Sequence, residues 1–172
     1  MSTSEQDVPQ PPQPPDFDRK LHFYPYQLIG LPILFLIPLL ALFGVFGETS
    51  TTVEQVGSGI TLEVEYSNRV HFQGLDGTEI RVQNTSDQAI PVLTVSIEKA
   101  FLDNYSDISF TPDVDAITDE AYIIRLEDVQ PGEARIVTYD SKGKIAGQYR
   151  GTVTATTGEA STSVTLDIFI FP

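Results

Sequence analysis

The chain has no cysteine, no tryptophan and only two histidines among its 172 residues. Without cysteine there can be no disulfide, thiolate metal site, covalent c-type haem attachment or cysteine nucleophile. Any part of the chain outside the cytoplasm must therefore be stabilised by packing alone. The histidines, His22 and His71, lie far apart in sequence and form no recognisable arrangement for acid–base work or metal ligation. Bases are also scarce, 10 against 24 acids, for a net charge of −14. So acidic a chain repels nucleic acid and anionic lipid, and neither suits it as a partner. No GxSxG elbow is present. The "GSG" at 57–59 lacks the Lys-Ser/Thr that a phosphate loop requires. These gaps point away from an enzyme and away from any bound cofactor.

Charge of either sign is missing from Leu28 to Phe46. As a helix this run would rise roughly 28 Å, close to the hydrocarbon thickness of a bilayer. Soluble core helices are rarely apolar on every face. Pro32 and Pro38 fall inside the run, where bilayer helices tolerate them better than soluble ones. A transmembrane helix over residues 24–47 is the expectation. Arg19 and Lys20 precede the run and Glu48 follows it, which sets the N-terminus in the cytoplasm and the C-terminal bulk beyond the inner membrane. Phe23, Tyr24 and Tyr26 would anchor the cytoplasmic interface. A cleaved signal peptide is the rival, since "VFG" before Glu48 offers small residues. The apolar run is longer than a signal core, and the leader before it is long. Residues 24 to 48 contain no His, Met or Cys, so axial ligands for haem are missing. Intramembrane charge is missing too, which argues against proton or ion conduction. Gly30, Gly44 and Gly47 would allow a neighbouring helix to approach, without a GxxxG repeat.

Residues 1–23 form a proline-rich cytoplasmic tail. "VPQPPQPPD" includes Pro11, Pro12, Pro14 and Pro15, which favour an extended polyproline II arm. Such a tail is either disordered or laid along a partner. A polar linker is expected over 48–59.

From residue 60 to 172 the pattern is that of strands. "ITLEVEY" alternates, with Ile60, Leu62, Val64 and Tyr66 inward. "TEIRV" repeats it with Ile80 and Val82, "PVLTVSIE" with Leu93, Val95 and Ile97, and "AYIIRLE" with Tyr122, Ile124 and Leu126. "ARIVTY", "GQYRGTVTAT" and "STSVTLDIFIF" complete the set. Turn signals stand between them: "LDG" at 75–77, "NTSDQ" at 84–88, "QPGE" at 130–133, "SKGK" at 141–144 and "TTGE" at 156–159. A mainly β extracytoplasmic domain follows, an antiparallel β-sandwich of about seven strands.

Three segments resemble immunoglobulin-like and fibronectin-III-like sandwiches: "EIRVQNTSDQAIPVLTVSIE" (79–98), "LEDVQPGEARIVTY" (126–139) and "GQYRGTVTA" (147–155). The resemblance covers about two thirds of the chain. It implies a tyrosine-corner place for Tyr149 and, by analogy, a scaffolding or binding role. The Cys and Trp of antibody domains are absent.

Three features are candidate sites. The acidic stretch 103–120 offers Asp103, Asn104 and Asp107, then Asp113, Asp115, Asp119 and Glu120, oxygens of the kind calcium takes. Their spacing matches no EF-hand loop, so the reading is a solvated interstrand loop, with calcium and an acidic docking patch as the alternatives. His71, in "RVHFQG", should face solvent, opposite Val70 and Phe72. "NTS" and "NYS" match short glycosylation acceptors. The C-terminal strand carries Val164, Leu166, Ile168 and Ile170 on its core face. Thr165 and Asp167 begin its other face, and Phe169 and Phe171 then occupy it. An apolar strand end on both sides needs cover, from the domain's own loops, a partner or the membrane surface.

Anchor, tail and sandwich combine as a non-catalytic accessory subunit of a larger membrane assembly, with integral-membrane subunits and the lipid bilayer as partners. The plan is similar to that of accessory subunits of bacterial photosynthetic reaction centres and respiratory complexes. The other reading is a membrane-anchored binding or adhesion module.

Overall fold

The computed structural model describes residues 24–42, 50–57, 59–158 and 160–172. It separates into two units, 1–45 and 46–172.

In the first unit, helix α1 runs from Pro25 to Leu42, 18 residues, with Pro32 and Pro38 inside it. Ile33, Leu34, Phe35, Leu36 and Ile37 follow one another and are all exposed, so apolar side chains surround the axis. Among the described residues no helix is long and apolar enough to cross a membrane. The expected span was 24–47. The helix as described stops at Leu42 and rises only about 27 Å, and residues 43–47 lie outside the described residues. So do Arg19, Lys20 and Phe23 of the expected anchor, and Pro11, Pro12, Pro14 and Pro15 of the tail. Tyr24 and Tyr26 are exposed, with ring centroids 6.2 Å apart and planes nearly parallel.

The second unit is built of two sheets. The five-stranded sheet has the order β1 (Ser50–Gly57), β2 (Ile60–Ser67), β4 (Leu75–Asn84), β9 (Ala134–Gly143) and β6 (Tyr105–Thr111). The six-stranded sheet has the order β3 (Arg69–His71), β11 (Ala160–Phe171), β10 (Gly147–Thr157), β5 (Ile90–Glu98), β8 (Ala121–Val129) and β7 (Ala116–Ile117). All neighbours are antiparallel except β3 and β11, which run parallel. Among the described residues eleven strands thus stand where about seven were expected, because short edge strands such as β3 and β7 leave too few residues to show a period.

The core lies where alternation placed it. Ile60, Leu62, Val64, Ile80, Val82, Leu93, Val95, Ile97, Ile124, Leu166 and Ile170 are buried between the sheets. Each such side chain contributes about 1.5–3 kcal/mol by leaving water. Register confirms the facing: Val64 pairs with Ile80 and Ile80 with Val137, so one inward row crosses three strands. Tyr122, expected inward with them, is only half-buried.

Three expectations are corrected. Residues 50–57, read as linker, form β1, paired to β2 from Ser50↔Ser67 to Gly57↔Ile60. Its Thr and Val residues favour extended backbone, and as an edge strand it needs little apolar pattern. "LDG" is no turn, since β4 begins at Leu75 and buries Asp76. The chain reverses instead at Gln73–Gly74, where Gln73 takes a positive φ of 58° and Gly74 N donates to His71 O at 2.9 Å. Phe72, expected beside Val70 in the core, is exposed, because β3 ends at His71.

A single turn of helix, α2 (Lys99–Leu102), joins β5 to β6 and buries Phe101 and Leu102. Asn104 Nδ2 closes its end by donating to Ala100 O at 2.9 Å and Phe101 O at 3.0 Å. Phe101 packs flat over Gly151 of β10. A Cβ at Gly151 would stand 2.2 Å from Phe101 Cγ, so only glycine fits there.

Candidate functional site

The chain enters the sandwich at Ser50, opposite Ser67. The β2–β3 passage, the start of β4, the end of β9, the start of β10 and the end of β11 all lie at this entry end. Register fixes the placement: Leu75 pairs with Lys142, Gly147 with Ile170, and Phe171 with His71. Phe72 N donates to Phe171 O at 2.8 Å and Gln73 N to Gly143 O at 2.9 Å, which ties the β3–β4 turn to both sheets.

Four apolar side chains from four separate segments stand exposed here. Phe72 is 44% exposed, Leu75 66%, Ile145 50% and Phe169 41%. Phe169 meets Phe171 edge to face at 4.7 Å, and His71 lies against Phe171 at 5.9 Å. The domain's own β3 therefore covers part of the C-terminal strand, and Phe171 is half-buried, while Phe169 keeps an open face. Alternation singled out Phe169 and Phe171. It missed Phe72, Leu75 and Ile145, because only the fold brings these scattered residues to one end. His71 is exposed, as expected.

Behind this end the core turns polar. Asp76, Thr78 and Ser141 are buried beside Tyr105 and Tyr139. Burial pushes both phenols well above their ordinary range. For Tyr105, the neighbouring Tyr139 and Asp76 add to the effect. A hydrogen bond with Thr78 partly offsets it at Tyr139. The Tyr105 hydroxyl is buried without a hydrogen-bond partner. Tyr149, the expected corner tyrosine, is half-buried, its hydroxyl 3.1 Å from where a Cβ on Gly147 would stand.

The acidic stretch is dispersed. Asp103 pairs with Lys99 and Asp107 with Lys142, each at 3.0 Å. Asp115 accepts the backbone N–H of Arg125, so its carboxylate ties the segment before β7 to β8, at the end of the pair away from their turn. Thr118 Oγ1 accepts the N–H of Ala121 at 2.9 Å, shaping the turn that carries Asp119 and Glu120. Asp113, Asp119 and Glu120 are exposed. Among the described residues, no three acidic or histidine side chains are placed to hold a metal ion.

Among the described residues, two of the shallow depressions on the outer faces are lined by hydroxyl and carboxylate side chains. One, of about 320 Å³, has Ser50, Glu65, Ser67, Glu79, Thr138 and Asp140 on its walls, with Ser50 Oγ donating to Glu65 at 2.9 Å. The other, of about 220 Å³, has Ser96, Thr152 and Thr154 beside Glu98 and Glu120. It belongs to a hydroxyl-rich surface across β5, β10 and β11, where Thr154 and Ser163 are hydrogen-bonded at 2.9 Å.

No family model and no curated protein matches the chain. Among solved structures it is similar to the CARDB domain of the PF1109 protein of Pyrococcus furiosus, crystallised in complex with di-metal ions. The identity is 18% and the TM-score 0.47, over 71% of this chain and 97% of that one. The solution structure of the same domain gives 18% and 0.45, over 65% and 94%. A family 123 glycoside hydrolase from Clostridium perfringens gives 14% and 0.37, over 59% of this chain and 22% of that one. The neighbours covered almost completely are thus CARDB domains, an immunoglobulin-like β-sandwich fold.

Proposed function

We propose that this protein is a non-catalytic accessory subunit, held in the inner membrane by a single span and stabilising a larger integral-membrane assembly. The observation that carries the reading is the uncharged apolar run from Leu28 to Phe46, followed within four residues by the first strand of a sandwich. The tail contacts cytoplasmic surfaces, the helix packs beside other spans, and the sandwich covers an external face. None of the three contacts needs to be strong. Joined on one chain, each raises the effective concentration of the others, and together they act as a clamp.

Extraction in mild detergent followed by native electrophoresis tests the reading. The chain should migrate with integral-membrane partners at fixed stoichiometry. Quantitative recovery as a free monomer would overturn the clamp.

One observation favours a second reading, a membrane-anchored binding module. The hydroxyl-rich outer face of the six-stranded sheet, with Ser96, Thr152 and Thr154, offers donors and acceptors to a polar polymer. Saturable binding of such a polymer by the purified full chain would support it.

A further inference from the structure

We propose that the open edge of β1 takes up an extended segment of another protein as an added strand, and that this segment carries lysine or arginine at alternate positions. The inference concerns the sandwich alone and goes beyond the anchoring reading above. It starts from the strand edges. Each sheet has two, and among the described residues three of the four are blunted. β3 is three residues long and β7 two. β6 is broken by a register shift between Ser106 and Ser109, where Asp107 takes a positive φ of 52°. Beyond β3, the edge of β11 is tied to the other sheet. There Asp167 N donates to the Tyr66 hydroxyl at 3.3 Å, and Thr162 Oγ1 to Gly57 O at 3.2 Å. β1 has none of these devices. It runs for eight residues in unbroken register with β2, without proline or a basic residue. Short length, bulges, proline and lysine are the means by which proteins close an edge. An edge that lacks them is a template for a further strand.

Register also fixes which backbone groups of β1 are free. Asn84 takes Gly132 N on its carbonyl and gives its N–H to Glu133 O, so the even-numbered residues of β4 face the β9 side. The odd-numbered ones face β2, where Glu79, Arg81 and Gln83 oppose Glu65, Glu63 and Thr61. Thr85 N, next in that odd series, donates to Gly59 O at 2.8 Å. The alternation carries across β2, whose even-numbered residues face β1 and oppose Thr51, Val53, Gln55 and Gly57. The N–H and C=O groups of Ser50, Thr52, Glu54 and Val56 therefore point to the open side. All four of these residues are exposed.

The charge beside the edge selects the occupant. On the outer face of the sheet Glu54 stands directly opposite Glu63, and Glu65 opposite Glu79. Like charges so placed repel. Among the described residues Arg81, opposite Glu63, is the one cation in these two rows. A strand laid against β1 with lysine or arginine on this face gives Glu54 the opposite charge that β2 does not. A second copy would bring the same carboxylates to the edge, with a net charge of −14 on each chain, and is disfavoured.

The probe is a fluorescein-labelled peptide of alternating lysine and threonine, added to the purified full chain in a non-ionic detergent and followed by anisotropy. Saturable binding is expected, and methylating the peptide's backbone amides should abolish it while leaving its charge. Equal binding of the methylated peptide would show attraction by charge alone and overturn the added strand, as would no binding of the unmethylated one. On the protein, Thr52→Pro removes an outward N–H and leaves the bonds to β2, so it should weaken binding about tenfold with the fold kept. Should that variant fold poorly, the methylated peptide reads the same contact on the unaltered chain. Glu54→Gln should weaken binding about threefold, the share of an exposed ion pair. Unchanged binding by Thr52→Pro overturns the site, and unchanged binding by Glu54→Gln overturns the basic occupant. Self-association of the chain that Thr52→Pro abolishes, seen by sedimentation, would assign the edge to a second copy and overturn the proposal. Each outcome can occur whether or not the chain migrates with membrane partners, so failure here is distinguishable from failure of the anchoring reading.

Discussion

At the end of the sandwich opposite Ser50, Asn84 is wholly buried and every polar atom of its side chain is engaged. Its Nδ2 donates to Gln88 O at 2.8 Å and Val129 O at 3.0 Å. Its Oδ1 accepts from Ser86 N at 3.0 Å and Ser86 Oγ at 2.7 Å. Its backbone takes Gly132 N at 2.8 Å and gives to Glu133 O at 2.9 Å. One residue thereby binds the β4–β5 and β8–β9 turns together. The entry end is built differently: Ile145, Leu75 and Phe169 stand in the open, and the polar group behind them includes a Tyr105 hydroxyl with no partner. The distal end spends its chemistry on the fold, while the entry end leaves chemistry unspent. Residues that hold the domain together and residues that face outward are thus separated along its long axis.

The sharpest break in that comparison is Asn84→Ala. It removes a partner from the buried Val129 O and from the part-buried Ser86 N, while Gln88 O keeps the Ser86 hydroxyl at 3.0 Å, and a buried group left unpaired is costly. Urea unfolding should show a loss of about 3 kcal/mol with an unchanged m-value. A loss below about 1 kcal/mol would mean that water replaces the side chain and that the distal lock is weak.

Next in size is Gly151→Ala, which tests the plug that α2 drives into the six-stranded sheet. The new methyl collides with the Phe101 ring, and overpacking at a closed site should cost about 2 kcal/mol. Adding Phe101→Leu should give back part of the loss, since the two residues are in contact and their effects are not additive. Strict additivity in the double mutant would show that the glycine is needed for its backbone alone.

Alkaline pH probes the polar core behind the entry end. Tyr105 and Tyr139 both have folded pKa values above the ordinary 10.0, chiefly through burial. Above that value the unfolded chain gives up phenolic protons that the folded chain retains. Stability is therefore fully present below about pH 10 and falls as pH rises further, by about 1.4 kcal/mol per pH unit for each tyrosine. Tyr105→Phe should remove one tyrosine's share of that slope. At neutral pH the same substitution should raise stability by about 1 kcal/mol, because it deletes a buried hydroxyl that has no partner. Destabilisation at neutral pH would reveal an ordered water on Tyr105.

How much of this was legible in the sequence follows the same division. Alternation identified the apolar inward residues of β2, β5 and β11, and Ile80 and Val82 of β4, because a half-buried strand writes its burial with period two. It failed at β1, whose polar edge carries no such signature. It failed at Phe72, where a strand ends one residue before the period does. The distal turn at 130–133 was visible as "QPGE", but the lock on it was not, since a buried Asn looks in sequence like any turn residue. Acidic side chains were legible as a group and proved dispersed, because salt bridges to Lys99 and Lys142 and the bond from Asp115 to the Arg125 backbone draw them apart. Of the entry end only Phe169 and Phe171 could be read. Leu75 and Ile145 are isolated apolar residues among turn signals, and nothing short of strand pairing puts them together.

The smallest effect expected on stability is the most informative about the entry end. Ile145 lies in the β9–β10 turn, half of it open to water. Ile145→Ser removes apolar surface that the fold does not use, so unfolding free energy should move by no more than about 0.5 kcal/mol. Leu75→Ser, on the exposed face of β4, should behave alike. If both variants unfold like the parent, the apolar end is dispensable to the domain and is available for an outside surface. A loss of about 2 kcal/mol from either would show instead that these side chains complete the core. The contrast between a locked distal end and an unspent entry end would then disappear, because both ends would be serving the fold.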